Sequence, residues 1–93
     1  MIASFKNKAL LNLWRTGRSS KIDSRLFARI RRRLDALNVA TKPDDMDFPG
    51  FNFHSLMGFD PTRYTVHVNG PWWCITFAFA DGDAKDVDFE QYH

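Results

Sequence analysis

His54, Thr65, His67, Cys74 and Thr76 fall on the same alternation parity of successive strand-like stretches, and a Tyr92-His93 pair closes the chain. Imidazole and thiol are both zinc-ligand types, so His54, His67 and Cys74 on one sheet face raise the question of a metal. Their spacing matches no recognised zinc pattern, and strand alternation alone aligns three such residues readily. No metal site is therefore expected. His93 reads in two ways, as a solvated terminus or as a working group. In the second case the adjacent terminal carboxylate, a fixed anion beside the imidazole, favours the protonated ring.

The stretch that must carry these groups is Asn69 to His93, NGPWWCITFAFADGDAKDVDFEQYH. Asn69-Gly70 and Asp81-Gly82 supply positive-φ residues for two tight hairpins around a dense apolar strand. Along that strand Trp73, Ile75, Phe77 and Phe79 form the heavier row, opposed by Trp72, Cys74, Thr76 and Ala78. Upstream, Tyr64, Val66 and Val68 oppose Arg63, Thr65, His67 and Asn69. Before them Phe51, Phe53 and Met57 oppose Asn52, His54 and Leu56, giving a first sheet strand that ends at the turn Gly58 to Pro61. The heavy rows should face a helical cover and leave the polar rows wetted.

Two amphipathic helices supply that cover. Phe5, Ala9, Leu10, Leu13 and Trp14 recur at helical spacing up to Gly17, a natural stop. Leu26, Ile30, Leu34 and Leu37, widened by Phe27, make the second stripe, with Asp23 or Ser24 as cap and an end near Ala40 set by Pro43. Ile2 to Phe5 is a candidate edge strand, and 41–50 an acidic connector. The expected fold is α+β: two N-terminal helices on one face of a four- to five-stranded, mainly antiparallel sheet. Residues 1–93 read as a single domain with one core. The core candidates are Phe5, Leu13, Trp14, Leu26, Ile30, Leu34, Ile75, Phe77 and Phe79.

Charge divides the chain. Residues 1–42 hold eleven Lys/Arg against two Asp, whereas 43–93 hold two against nine acidic residues. Arg25, Arg29, Arg31, Arg32 and Arg33 surround the second helix; they read either as a solvated face or as a footprint for phosphates or an acidic partner. Trp72 is a base-stacking platform or an edge anchor. Cys74 is the single cysteine, and Met1 to Trp14 lacks the continuous apolar region of a signal peptide, so a reducing, cytoplasmic location is expected. The longest uncharged run, Tyr64 to Ala80, is broken by Asn-Gly-Pro, which argues against a membrane span.

The segments MI-SFKNKAL, RIRRRLDAL-ATKP, FHSLMG and VNG-W-ITF-F-DGDA-DVDFEQYH together resemble a HigB-type toxin of the RelE/ParE superfamily of bacterial type II toxin-antitoxin systems. The resemblance implies a ribosome-dependent mRNA endonuclease needing no cofactor, monomeric when free. It also implies a HigA-like helix-turn-helix antitoxin that neutralises it in a hetero-oligomer. Under it, Tyr92 would stack on or orient the nucleotide, and His93 would exchange protons, with His54 and Gln91 assisting. Lys6, Lys8, Arg15, Arg18, Arg25, Arg29, Arg32, Arg33 and Trp72 would hold RNA or the ribosome.

Three positions depart from the family pattern: Met57 stands for a Lys, Cys74 for an Arg, and Gln91 for the Asp before Tyr-His. Neither Met nor a neutral Cys can supply a cationic donor to a pentacoordinate phosphate. Loss of one such donor costs about 10²–10³ in rate. The alternatives are therefore an attenuated homologue that binds antitoxin or ribosome without cleaving, and a gyrase inhibitor like the ParE branch.

Overall fold

The computed structural model describes residues 1–91; Tyr92 and His93 lie outside the described residues. The first helix, α1, spans Lys8–Thr16. Asn7 caps it, its side-chain oxygen accepting from the Leu10 N–H at 3.0 Å. At the other end Gly17 takes φ 78 and its N–H returns to the Leu13 carbonyl, a left-handed closure that glycine adopts without Cβ strain. Leu10 and Leu13 point into the core. Phe5, expected within this helix, lies before it, because the extended backbone of Asn7 starts the helix only at Lys8.

Asp23 begins the second helical stretch, accepting from the Arg25 N–H at 2.9 Å. A single 3-10 turn, Ser24–Leu26, leads into α2, Phe27–Val39, whose Ile30, Leu34 and Leu37 are fully buried. Ala40 follows in extended conformation, and Pro43–Met46 form another 3-10 turn that buries Met46 completely.

The sheet holds β1 (His54–Leu56), β2 (Arg63–Asn69), β3 (Trp73–Ala80) and β4 (Asp83–Gln91) in that spatial order, each antiparallel to the next. β3 and β4 are joined by Asp81 (φ 55) and Gly82 (φ 80), the double positive φ of a type I′ turn. The β2–β3 connection is one residue longer: Asn69 pairs with Trp73 and leaves Gly70, Pro71 and Trp72 outside the ladder. Gly70 alone takes a positive φ there, and the register shifts between His67 and Asn69. Asn69 therefore stays in the strand instead of turning it.

Two expected strands are shorter than their alternation implies. Asn52 adopts φ 49, which breaks the extended backbone, so β1 starts at His54 and leaves Met57 in the following turn. Phe51 is instead buried, its carbonyl accepting from the His67 N–H. Ile2 to Phe5 makes only two parallel bridges, Ile2 to Ala84 and Phe5 to Val87, on the outer edge of β4.

One apolar cluster fills the space between helices and sheet, built from Leu10, Leu13, Ile30, Leu34 and Leu37 above and Val66, Val68, Ile75, Phe77, Val87 and Phe89 below. Each such side chain contributes about 1.5–3 kcal/mol when fully buried. Phe5, Trp14 and Phe79 pack against this cluster only partly buried, because they sit at the ends and edge of their elements. Among the described residues no helix is long and apolar enough to cross a membrane.

Candidate functional site

The face of the sheet turned away from the helices carries a polar dish rather than a flat wetted surface. His54 pairs with Thr65, Thr65 with Thr76 and Thr76 with Asp88, which makes a row across all four strands. Beside it His67 pairs with Cys74 and Cys74 with Glu90. Thr65, Thr76 and Cys74 were expected to be open; all three are buried and form the floor. They are short side chains in the middle of a twisted sheet, and the longer Arg63, His67 and Glu90 around them exclude water. His54 is exposed at the rim.

Hydrogen bonds set the rim in place. The His54 Nδ1–H donates to the Asn52 carbonyl at 2.9 Å, which leaves Nε2 as the ring nitrogen without a partner among the described residues. Asn52 also reaches the His67 ring, its amide nitrogen 3.1 Å from Nε2, and the two imidazoles meet edge to face at 6.1 Å. Partial burial lowers the His67 pKa, and neighbouring His54 and Arg33 act in the same direction. Burial raises the Cys74 thiol, and Glu90 adds to it, which keeps the sulfur neutral.

The least anticipated member is Arg63. Its Nη2 donates to the Thr76 hydroxyl at 3.0 Å and to the Asp86 carbonyl at 2.8 Å, and Thr76 in turn donates to Glu90 Oε2 at 2.6 Å. Arg63 and Glu90 share strand parity with the floor residues, the one sequence signal that pointed to them. Among the described residues no group of three His, Cys, Asp or Glu side chains is placed to hold a metal ion.

The remaining candidates scatter. Gln91 is exposed at the end of β4, opposite Trp73. Met57 is 92% exposed, in the turn after β1. Trp72 projects from the β2–β3 loop, 57% exposed, whereas Trp73 stacks on Phe89 at 4.7 Å. Lys8 borders a groove with Lys21 that is walled by Trp73 and Phe89. Lys6, Arg15 and Arg18 are exposed around α1.

The arginines of α2 and of the turn before it differ among themselves. Arg25 forks onto Asp23, holding that carboxyl at about 2. Arg31 pairs with Asp35 and lies 5.3 Å over Trp14. Arg29 reaches Asn69 at 3.3 Å, and Arg32 edges a groove with Ala36, Phe48, Pro49 and Phe51. Arg33 corrects the expectation of an RNA-binding residue. It is only 8% exposed, donates to the His67 carbonyl at 2.6 Å and the Arg29 carbonyl at 3.1 Å, and lies 4.5 Å over Phe51. Desolvation lowers its pKa, and it serves as a bolt between α2 and β2. The exposed cations of α2 thus stand behind the sheet, opposite the dish.

Residues 3–93 match the family model described as the RelE-like toxin of type II toxin-antitoxin system HigB. The chain is also 34% identical over 93 residues to Endoribonuclease HigB of Proteus vulgaris, covering 100% of both chains.

Proposed function

Because the chain belongs to the HigB family of RelE-like toxins of type II toxin-antitoxin systems, we propose that it is an endoribonuclease that cuts mRNA on the ribosome. A HigA-like helix-turn-helix antitoxin would hold it inactive in the bacterial cytoplasm. The observation that carries this reading is the full-length relation to an endoribonuclease, with no part of either chain left over.

The reaction is a transesterification. The ribose 2′-oxygen attacks the adjacent phosphorus, its proton passes to a base, the bond from phosphorus to the 5′-oxygen breaks, and that oxygen takes a proton. A 2′,3′-cyclic phosphate and a 5′-hydroxyl result. In the dish His54 has one nitrogen tied to the Asn52 carbonyl and the other without a partner among the described residues, the arrangement required of a group that exchanges protons with RNA. Tyr92 is assigned to orient the nucleotide, His93 to proton transfer, and Gln91 to support them. Exposed cations, Lys6, Lys8, Arg15, Arg18, Arg25, Arg29 and Arg32, with Trp72, supply the ribosome-facing contacts. Since the α2 cations lie behind the sheet, they would grip phosphates remote from the one being cut.

A buried neutral thiol at Cys74 and an exposed thioether at Met57 favour a second reading, a homologue that retains antitoxin binding with weakened cleavage. Primer extension on a reporter mRNA after brief induction decides between them. Translation-dependent cuts that fade in His93→Ala and His54→Ala are the expected result. Growth arrest without cuts would leave the binding-module reading.

A further inference from the structure

We infer that Arg63 is a catalytic residue of the cleavage reaction, its guanidinium binding the scissile phosphate and stabilising the charge that grows on it. This rests on the endoribonuclease reading above.

The position is the first argument. Arg63 opens β2, on the same face as Thr65 and His67, and its guanidinium extends over the buried Thr76. Thr76 and Thr65 are cross-strand partners, and Thr65 is the partner of His54. Adjacent strands lie about 4.8 Å apart, so the cation and His54 stand at opposite ends of a row about two strand spacings long. A phosphodiester with its flanking riboses spans such a gap.

The second argument is the state of the charge. Among the described residues Arg63 is the arginine on this face, and no carboxylate lies within 4.0 Å of it, whereas Arg25 and Arg31 each hold a partner. One nitrogen, Nη2, takes both of its hydrogen bonds. Nε and Nη1 have no partner among the described residues. A half-buried guanidinium anchored through Nη2 is held in a fixed plane and keeps its Nε–H and Nη1–H groups for charge-assisted hydrogen bonds to phosphate oxygens.

Thr76 supplies the third. Its hydroxyl accepts from Arg63 and donates to Glu90, which fixes its rotor and holds the carboxylate one hydroxyl away from the cation. Glu90 thereby orients Arg63 without neutralising it; Thr76 and Glu90 are positioning residues. Cys74, next along β3, is neutral and buried and supplies no competing cation.

The test is cleavage of mRNA on programmed ribosomes by the whole protein, with kcat and KM measured separately. Arg63→Ala should lower kcat by about 10²–10³ and leave KM within about threefold, because the contact strengthens only as charge develops. Millimolar methylguanidinium should restore part of that loss in Arg63→Ala and nothing in the wild type. Thr76→Val, which removes the rotor but not the bond to the Asp86 carbonyl, should lower kcat by about tenfold. Should the unfolding curve show that Arg63→Ala has lost its fold, Arg63→Lys decides, since it keeps the charge without the planar, multiply donating guanidinium. A tenfold or larger loss in it sustains the assignment, and unchanged kcat overturns it. Arg63→Ala that cleaves within threefold of the wild type, or a loss confined to KM, also overturns it. A wild type that makes no cuts overturns the underlying reading, and this inference falls with it.

Discussion

Arg33 lays its guanidinium 4.5 Å over the face of Phe51 while donating to the backbone of His67, so a single cation bolts helix, connector and sheet together. Charge-assisted hydrogen bonds of this kind contribute about 1.5–3 kcal/mol, and a desolvated cation–π contact about 2 more. Arg33→Ala should therefore destabilise the fold by about 2–4 kcal/mol, and Arg32→Ala, on the exposed side of the same helix, by no more than about 0.5. Urea unfolding reads both. Equal midpoints for the two variants would show that Arg33 contributes no more than a surface residue.

Gly82 sits at φ 80 in the turn between β3 and β4, and a Cβ there would meet only the Thr41 carbonyl at 3.9 Å. Space is adequate; the backbone is the obstacle. A left-handed non-glycine residue costs about 1–2 kcal/mol, so Gly82→Ala should lower stability by that amount while β3 and β4 keep their register. Amide exchange along β4 checks the second half of this expectation.

The pH response of His67 follows from its surroundings. Burial, then His54, then Arg33 hold its pKa below the usual histidine value in the folded protein, whereas the unfolded chain titrates near 6.5. Over the interval between those values the unfolded state binds more protons, so stability rises with pH. The contribution of neutral His67 is complete above about pH 6.5 and is lost as pH falls toward the folded value. His67→Gln should flatten the urea midpoint between pH 7 and 5. Parallel profiles for variant and wild type would reject this role.

Met57 is 92% exposed, so a lysine there meets no packing obstacle. Met57→Lys should leave the unfolding midpoint unchanged and raise RNA cleavage, since it brings a mobile cation to the end of β1. Placing Arg at Cys74 is a harsher change, because that position is 1% exposed and the guanidinium must climb out past His67 and Glu90. A gain from Met57→Lys without cost in stability, measured by primer extension beside a melting curve, is the expected pattern. Unchanged cleavage would place the limiting step elsewhere.

The helices and the two hairpins were legible because their signals are local: apolar spacing, an Asp cap, and Gly at left-handed positions; the Asn7 cap went unread. Trp73 to Ala80 could be read as a core strand from its alternation alone. Alternation failed where a single residue changed the backbone, as Asn52 does at φ 49, and where face and burial diverge. Thr65, Cys74 and Thr76 share the parity of the outer face, yet longer neighbours from other strands roof them over. Arg33 misled for a related reason. The four arginines of α2 look alike in a sequence, and only the packing of the helix on His67 and Phe51 shows which of them is part of the interior. Arg63 was visible on the right face, but its bond to Thr76 joins residues 13 positions apart and has no sequence signature.

The parallel bridges of Ile2 and Phe5 to Ala84 and Val87 belong to a seam whose contacts span 82 positions of the chain. A nascent chain cannot close that edge until β4 has cleared the exit tunnel. The core strands β3 and β4 follow both helices in the chain, so the basic helices stand without a sheet to pack on until those strands have emerged. Folding therefore waits on pairings of long sequence separation, and the newly made chain passes through an interval in which its basic helices are present but not yet packed.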